Sequence, residues 1–541
     1  MKKTFMLTIL FNFLYNTIIA QSWQWSLHEG SVYEERVLSL TKDVMGNVFT
    51  SGQFGYGPSL LGSAVIAGDT LYIEGASDIF IASYDIAGNP KWAKRAGGNS
   101  PNHAEYGYLE NCLFDSSIIA FGTYHSYLSV DTFFLQGDPY FKNLFLGKID
   151  QNGKFLWLKK AANANDGNSI TQLSCDNFGN AYLMGTTVAG ATLDTINISA
   201  GGYIAKINSD GHFLWAKRVF DYTKTNGWKI NATSNGFIAS GFFIESTQID
   251  TALIYSNGLH DFFIASFDSM GNILWIKTIG WHGTDVNSAF DIDITGNIYV
   301  SGYFTDSIYF DTTLLTHGGK DVFLAKFDPQ GNFLWARQLF ANGDAESNDI
   351  DVDDQGNVYI TGYFNLQATF GGNTVTATAY PSMFLARYNA LGDFLGMRYF
   401  GSARGTNVVS DGNSVVVAGT FTNSVTLDNT TLTSNGLTDM FLAKHDAFVG
   451  VGELSLQRNR PLSIYANPSN GHCNIDIPEE FLNETNLLLT IYDQQGRKVR
   501  DYLIEMNEGK IRLNLQEEAK GIYIATLNNG KKQYTGKIVF E

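Results

Sequence analysis

Three cysteines in 541 residues, Cys112, Cys175 and Cys473, are too few for a disulfide framework to hold the chain together. Nine prolines beside 55 glycines exclude a proline-rich fibre and suit a turn-rich β protein. After residue 20 no run reaches the ~18 unbroken apolar residues that a membrane helix needs, so no transmembrane span is expected there. Basic charge is scarce as well: 36 Lys and Arg stand against 53 Asp and Glu, for a formal charge of −17. Without a basic stripe to release phosphate counterions, nucleic acid is excluded as a partner. The nine histidines show no ligand spacing, and no G-x-S-x-G, phosphate loop or dinucleotide fingerprint occurs, so neither a catalytic constellation nor a cofactor is expected.

What is present begins with Lys2, Lys3 and the apolar run "TFMLTILFNFLYNTIIA", which closes on Ala20. This reads as a secretory signal peptide over residues 1–20. Without its two lysines the formal charge becomes −19, and from Ser455 onward eleven basic residues balance eleven acidic ones. The excess of acid therefore lies in the residues before the tail.

A hairpin written "DVFLAKFDPQGNFLWAR" from Asp321 recurs along the chain. Trp92, Trp157, Trp215, Trp275 and Trp335 mark it at separations of 65, 58, 60 and 60 residues, a period of about sixty. A second motif, "GNIYVSGYF" and its relatives, carries Gly52, Gly122, Gly185, Gly241, Gly302, Gly362 and Gly419, which counts seven repeats. Apolar residues alternate in Phe323, Ala325 and Phe327, and "DPQGN" then reverses the chain, so each repeat reads as four antiparallel strands. Such a sheet cannot bury both faces alone. Seven of them packed face to face in a ring can, and this predicts an all-β fold, a seven-bladed β-propeller over residues 21–450. The seventh repeat stops at "DMFLAKHDAFVG" without its Trp strand, while Trp25 in "SWQWSLHEG" supplies one, so the N-terminal strand is expected to close the circle. Cys112 and Cys175, 63 residues apart, hold equivalent places in consecutive repeats. A bridge needs Cα atoms within about 7 Å, rarely met between blades, so two buried thiols are expected.

On these motifs residues 22–449 resemble the bacterial seven-bladed propeller repeats, D-x-x-G-N-x-Y-x-x-G followed by D-x-F-x-A-K-x-D-x-x-G-x-x-x-W. The resemblance implies an architecture and no single activity. The sixth repeat departs from it, with Gly396 in place of Trp and Asn389 in place of Asp.

A linker over 451–461 leads to a tail, 462–541, in which the period vanishes and short apolar runs alternate with "NPSNG", "DQQGRK" and "NNGKK". It reads as a small Ig-like β-sandwich. Asn467, Pro468 and Gly471, then Asp493 and Gly496 in "IYDQQGR", then Gly521 and Tyr523 in "GIYI", and Lys537 in the final "KIV" are similar to the C-terminal sorting domain read by the type IX secretion system of Bacteroidota. The resemblance implies export across both membranes to the cell surface or beyond, with the secretion machinery as partner.

Paired acids at Asp291 and Asp293 and at Asp351 and Asp353 raise a calcium reading, since hard cations want clustered carboxylates. The twelve-residue loop would need Glu where Gly302 and Gly362 stand, so turn and channel-lining roles are expected instead. The Asp that follows each "FLAKF" strand is expected to accept turn amides. The expected function is a non-catalytic binding module, its glycan or protein ligand held at a rim or at the mouth of the channel. A propeller hydrolase or lyase would need unrepeated acids or histidines gathered at one end of the channel, and none stands out. A structural scaffold is the third class.

Overall fold

Strands of seven to nine residues, rich in β-branched and aromatic side chains and broken by Asp- and Gly-bearing turns, leave no room for a helix. The computed structural model describes residues 23–56, 62–99, 106–162, 169–412, 414–446 and, in the tail, 460–462, 464–465, 467–478, 481, 487–493, 498–504, 510–516, 518–528 and 533–541; no α-helix occurs among them. The expected signal peptide, most of the linker and Gly496 lie outside the described residues. The chain divides into two compact units, residues 1–448 and 449–541.

In the first, Glu34–Lys42, Val48–Tyr56, Asp78–Tyr84 and Pro90–Ala96 pair antiparallel in that order. We call this repeat 1. The same order returns in repeats 2 to 7, whose first strands are Tyr106–Cys112, Ser169–Cys175, Thr225–Thr233, Asp285–Ile292, Ala345–Val352 and Ala403–Asp411. In repeat 7 the fourth strand comes from the other end of the chain: Trp23–Glu29 pairs antiparallel with Asp439–Asp446, Trp25 opposite Lys444. Each first strand lies against that of the next repeat, and that of repeat 7 against that of repeat 1.

The core sits between successive sheets. Phe121 and Leu146 of repeat 2 pack with Leu173 and Leu183 of repeat 3, and Tyr182 of repeat 3 with Phe237 and Phe263 of repeat 4. Each such side chain contributes about 1.5–3 kcal/mol by leaving water. Third strands such as Asp78–Tyr84 and Ser382–Tyr388 are buried along their whole length, being covered on both faces.

Two expectations are corrected. Each sheet has its four strands, but six of the seven repeats add a short hairpin, such as Tyr127–Val130 with Phe133–Gln136, between the second and third, and in repeat 5 the long strands Ile298–Phe310 and Thr313–Phe327 form it themselves. It reaches the fourth strand of the preceding repeat, as in Phe220 opposite Ile249 and Phe340 opposite Thr369. Its tips hold Asp131, Asp194, Asp250, Asp311 and Asp428 at φ of 48° to 52°. Two-residue loops with positive φ match the twist of a hairpin. The "DT" and "DN" dipeptides recurring at the sixty-residue period were the signal for it. The second correction is that Cys112 and Cys175 form a disulfide, with Cα atoms 5.3 Å apart. They close neighbouring first strands, where sheets in a ring approach one another most closely.

The second compact unit holds a five-stranded sheet and a three-stranded one over a single core of Ile475, Phe481, Leu489, Ile491, Leu527 and Ile538.

Candidate functional site

The turns account for the recurring aspartates. Asp293 Oδ1 accepts the N–H groups of Thr295 and Asn297 at 2.9 and 3.0 Å, and its Oδ2 accepts the Asn297 amide at 2.8 Å. Asp353 does the same with Gln355 and Asn357. Asp85, Asp268 and Asp328 repeat the pattern. These carboxylates spend their lone pairs on closing a loop. Among the described residues no group of three or more His, Cys, Asp or Glu is placed to hold a metal ion.

The tryptophans are half-buried and reach across to the next repeat. The indole N–H of Trp92 donates to Gln151 O at 3.1 Å, that of Trp157 to Ser209 O at 3.2 Å, that of Trp215 to Ser269 O at 3.2 Å and that of Trp335 to Ala390 O at 3.3 Å. Each ring lies on the glycine of that turn: Trp92 on Gly153, Trp157 on Gly211, Trp215 on Gly271, Trp275 on Gly331 and Trp335 on Gly392. A Cβ there would meet the ring, and positive φ of 74° to 80° already favours glycine. The second-strand glycines answer another close approach. A Cβ on Gly52, Gly122, Gly185, Gly302, Gly362 or Gly419 would run into a first-strand carbonyl oxygen. Gly241 holds the same place opposite the first strand of repeat 4, next to the Lys229–Ser240 pair.

The first strands line a channel with a cavity of about 490 Å³, and every repeat contributes to its wall. The residues pairing with the position just before each second-strand glycine are Ser39, Tyr108, Gln172, Lys229, Ala289, Asp349 and Asn407. All but Ala289 line the cavity. Two residues further along, the equivalent places hold Thr41, Glu110, Ser174, Asn231, Asp291, Asp351 and Val409. The sheets repeat, but these two rings do not.

The second ring is joined by hydrogen bonds. Glu110 is hydrogen-bonded to the Ser174 hydroxyl and accepts the Cys175 N–H. Ser174 Oγ donates to Asn231 at 3.3 Å, and Asn231 Nδ2 donates to Asp291 Oδ1 at 2.9 Å. Asp291 also accepts Val352 N–H at 2.8 Å, Asp349 accepts Val408 N–H at 3.0 Å and Asp351 accepts Ser410 N–H at 2.8 Å. Each carboxylate thus ties one repeat to the backbone of the next. Loss of water, and then the charge of Asp291, push the Glu110 carboxyl up to about 8. Loss of water raises Asp349 to about 6 against the opposing pull of Lys229, and it raises Asp291 and Asp351, whose charges also oppose each other. The sequence displayed no unrepeated set of acids; the fold assembles one from three strands.

Elsewhere, Asp285 accepts the Trp281 N–H at 2.8 Å beneath a half-exposed Trp281 that stacks near His282 and Tyr309. Burial pushes Asp285 up to about 8.

In the tail the motif residues converge on the last strand. Asn467 donates to Lys537 O at 2.7 Å and accepts Val539 N–H at 2.8 Å. Gly471 turns at φ +95°, and its carbonyl accepts Leu515 N–H at 2.7 Å. Pro468 follows Asn467 at the head of this turn. Gly521 and Tyr523 pair with Phe540 and Ile538, and Asp493 pairs with Tyr523.

Residues 463–541 match the family described as the secretion system C-terminal sorting domain. Residues 334–363, the last strand of repeat 5 and the first two of repeat 6, match the beta-propeller repeat. The chain thus carries a β-propeller repeat within 334–363 and a type IX sorting domain in 463–541. An uncharacterized WD repeat-containing protein of Acanthamoeba polyphaga mimivirus is 28% identical over 240 residues, 37% of this chain. The match spans only 17% of that relative. Among solved structures, the exotype rhamnogalacturonan lyase YesX is 11% identical, with 95% of this chain and 91% of that one covered and a TM-score of 0.28. A glycoside hydrolase family 32 protein from Bifidobacterium adolescentis is 10% identical over 96% and 95% of the two chains, with a TM-score of 0.25. The propeller-repeat assignment rests on the sheets and the family matches. The sorting tail marks the protein for export.

Proposed function

We propose that this protein is an exported, surface-displayed seven-bladed β-propeller that captures a small polar ligand, a glycan or part of one, in its channel without converting it. Residues 1–20 would bring it to the periplasm, and the type IX machinery of a Bacteroidota cell would read the Ig-like tail. One observation carries the binding reading. A position that only builds the blade needs the same residue each time, yet the channel position holds Ser39, Tyr108, Gln172, Lys229, Ala289, Asp349 and Asn407. Aromatic and amide side chains around 490 Å³ suit a sugar-sized ligand.

A second reading, a hydrolase or lyase acting on polysaccharide, draws on Glu110: pushed up to about 8, it holds a proton at neutral pH in the same cavity as Asp349. Against it, both carboxyls accept backbone N–H groups from the adjacent repeat, which fixes them as ties. The test is saturable binding of the full secreted chain on a glycan array, followed by mass spectrometry of the bound glycans after incubation. Binding with unchanged masses supports capture, and shortened or unsaturated products move the assignment to the second reading. Neither outcome leaves the scaffold class.

A further inference from the structure

We infer that the channel selects a sugar bearing a free, protonated amine, held by its acceptor-rich wall between Glu110 and Asp349. This rests on the capture reading. The wall is short of positive charge. Glu110 and Asp349 line the cavity with Lys229, while Asp291 acts on Glu110 and Lys42 on Asp351 behind them, so acid exceeds base around the cavity. Lys42 is further drawn to Asp411, 3.7 Å away.

A second observation is independent of charge. Asn287 is 1% exposed and lines the cavity; its amide N–H donates to Ser240 Oγ at 2.8 Å, while its carbonyl oxygen has no partner. The Asn407 carbonyl oxygen, also on the wall, is likewise unpartnered. A buried acceptor without a donor costs about 1–3 kcal/mol, which a ligand N–H or O–H recovers. A neutral sugar supplies hydroxyl donors. An ammonium supplies three donors and the missing positive charge together. Tyr108 and Phe242 offer apolar faces to a pyranose ring, and Gln172 offers an amide to its hydroxyls.

The wall meets this excess of acid by holding protons, which is what the raised carboxyls express. An ammonium displaces them, so binding releases a proton and tightens as pH rises from 5 to 7 while the amine stays charged. The groups that set this response are Glu110, Asp291, Asp349, Asp351, Asp353, Lys42 and Lys229.

The experiment titrates the full chain calorimetrically with a glucosamine disaccharide, its N-acetylated form and cellobiose, at pH 5, 6 and 7. The free-amine sugar is expected to bind at least tenfold tighter than either other sugar, at least fivefold tighter at pH 7 than at pH 5, and with proton uptake by the buffer. Asp349→Asn, which keeps the acceptor of Val408 N–H, should lose about tenfold for that sugar and little for cellobiose. If all three bind equally and without pH dependence, the amine inference falls and sugar capture stands. If none binds, the capture reading itself falls.

Discussion

The indole N–H of Trp25 donates to the carbonyl oxygen of Ile86, 3.2 Å away and 61 positions along the chain. The Trp25 ring lies on Gly88 of the same turn, as each repeated Trp lies on the turn of its neighbour. The contact carries the clasp from repeat 7 to repeat 1. In the other direction the clasp is missing: repeat 6 has Gly396 at the Trp position. Because the third and fourth strands of repeat 7 come from opposite ends of the chain, no hairpin turn joins them for a Trp to grip.

Replacing one clasp should therefore cost stability in proportion to what it reaches. Trp335→Phe keeps a ring on Gly392 and loses one hydrogen bond, about 1 kcal/mol. Trp25→Ala removes the ring as well and loosens the strand that completes repeat 7, about 2–4 kcal/mol. Gly396→Trp should change stability by less than about 0.5 kcal/mol. Urea denaturation of the three variants measures the order.

Cys112 and Cys175 staple the first strands of repeats 2 and 3. A closed loop of this length restricts the unfolded chain, so reduction or Cys112→Ser with Cys175→Ser should cost about 2–4 kcal/mol. Peptide mapping without reductant should show the linked pair, and a melt with reductant should fall below one without it. Recovery of Cys112 and Cys175 as free thiols from the exported protein would contradict the bridge.

Glu110 predicts how stability varies with pH. Its folded carboxyl is raised to about 8 from the ordinary 4.5, so between those values the folded chain holds a proton that the unfolded chain releases. The contribution is whole below about pH 4.5 and is lost as pH rises toward 8. Glu110→Gln keeps an acceptor for Cys175 N–H and cannot ionise. It should flatten the fall in stability between pH 5 and 8 and gain about 1–2 kcal/mol at pH 8, the partial exposure of the channel wall moderating the effect. Denaturation midpoints across that range test it, and an unchanged slope would show that Glu110 does not hold the proton.

The ring of sheets was legible because its period, its Asp–Gly turns and its glycines are all written in local sequence. The channel was legible only in part: Asp291 and Asp351 were expected to line it, but the residues that make its wall were not, and the reason is register. In repeat 6 Ser347 pairs with Gly362 but Asp349 pairs with Thr361, Asn348 being skipped. Similar slips fall at Asn287/Ala289 and Gly405/Asn407. A one-residue slip exchanges the two faces of a strand, so alternation alone cannot say which residues look into the channel. Glu110 lies on a strand with no such slip, and nothing local to it points to Asp349 across the wall. The clasp was hidden differently: a period shows that Trp recurs, but the carbonyl it grips belongs to the neighbouring repeat. The tail was read from Asn467, Pro468, Gly471 and Tyr523 because there the motif itself makes the contacts.

Those contacts carry the last prediction. Asn467 bonds Lys537 O and Val539 N–H at once, so one side chain pins the turn to the terminal strand. Asn467→Ala removes both bonds and leaves the two backbone groups to water, at about 1–2 kcal/mol to the tail. Asn467→Asp keeps the acceptor for Val539 and sets a carboxylate against the Lys537 carbonyl, so it should not rescue the loss. If the secretion machinery reads the folded tail, both variants should accumulate in the periplasm while the propeller-repeat region stays protease-resistant. Cell fractionation with limited proteolysis measures this. Normal surface export of both variants would mean that the turn is not part of what is recognised.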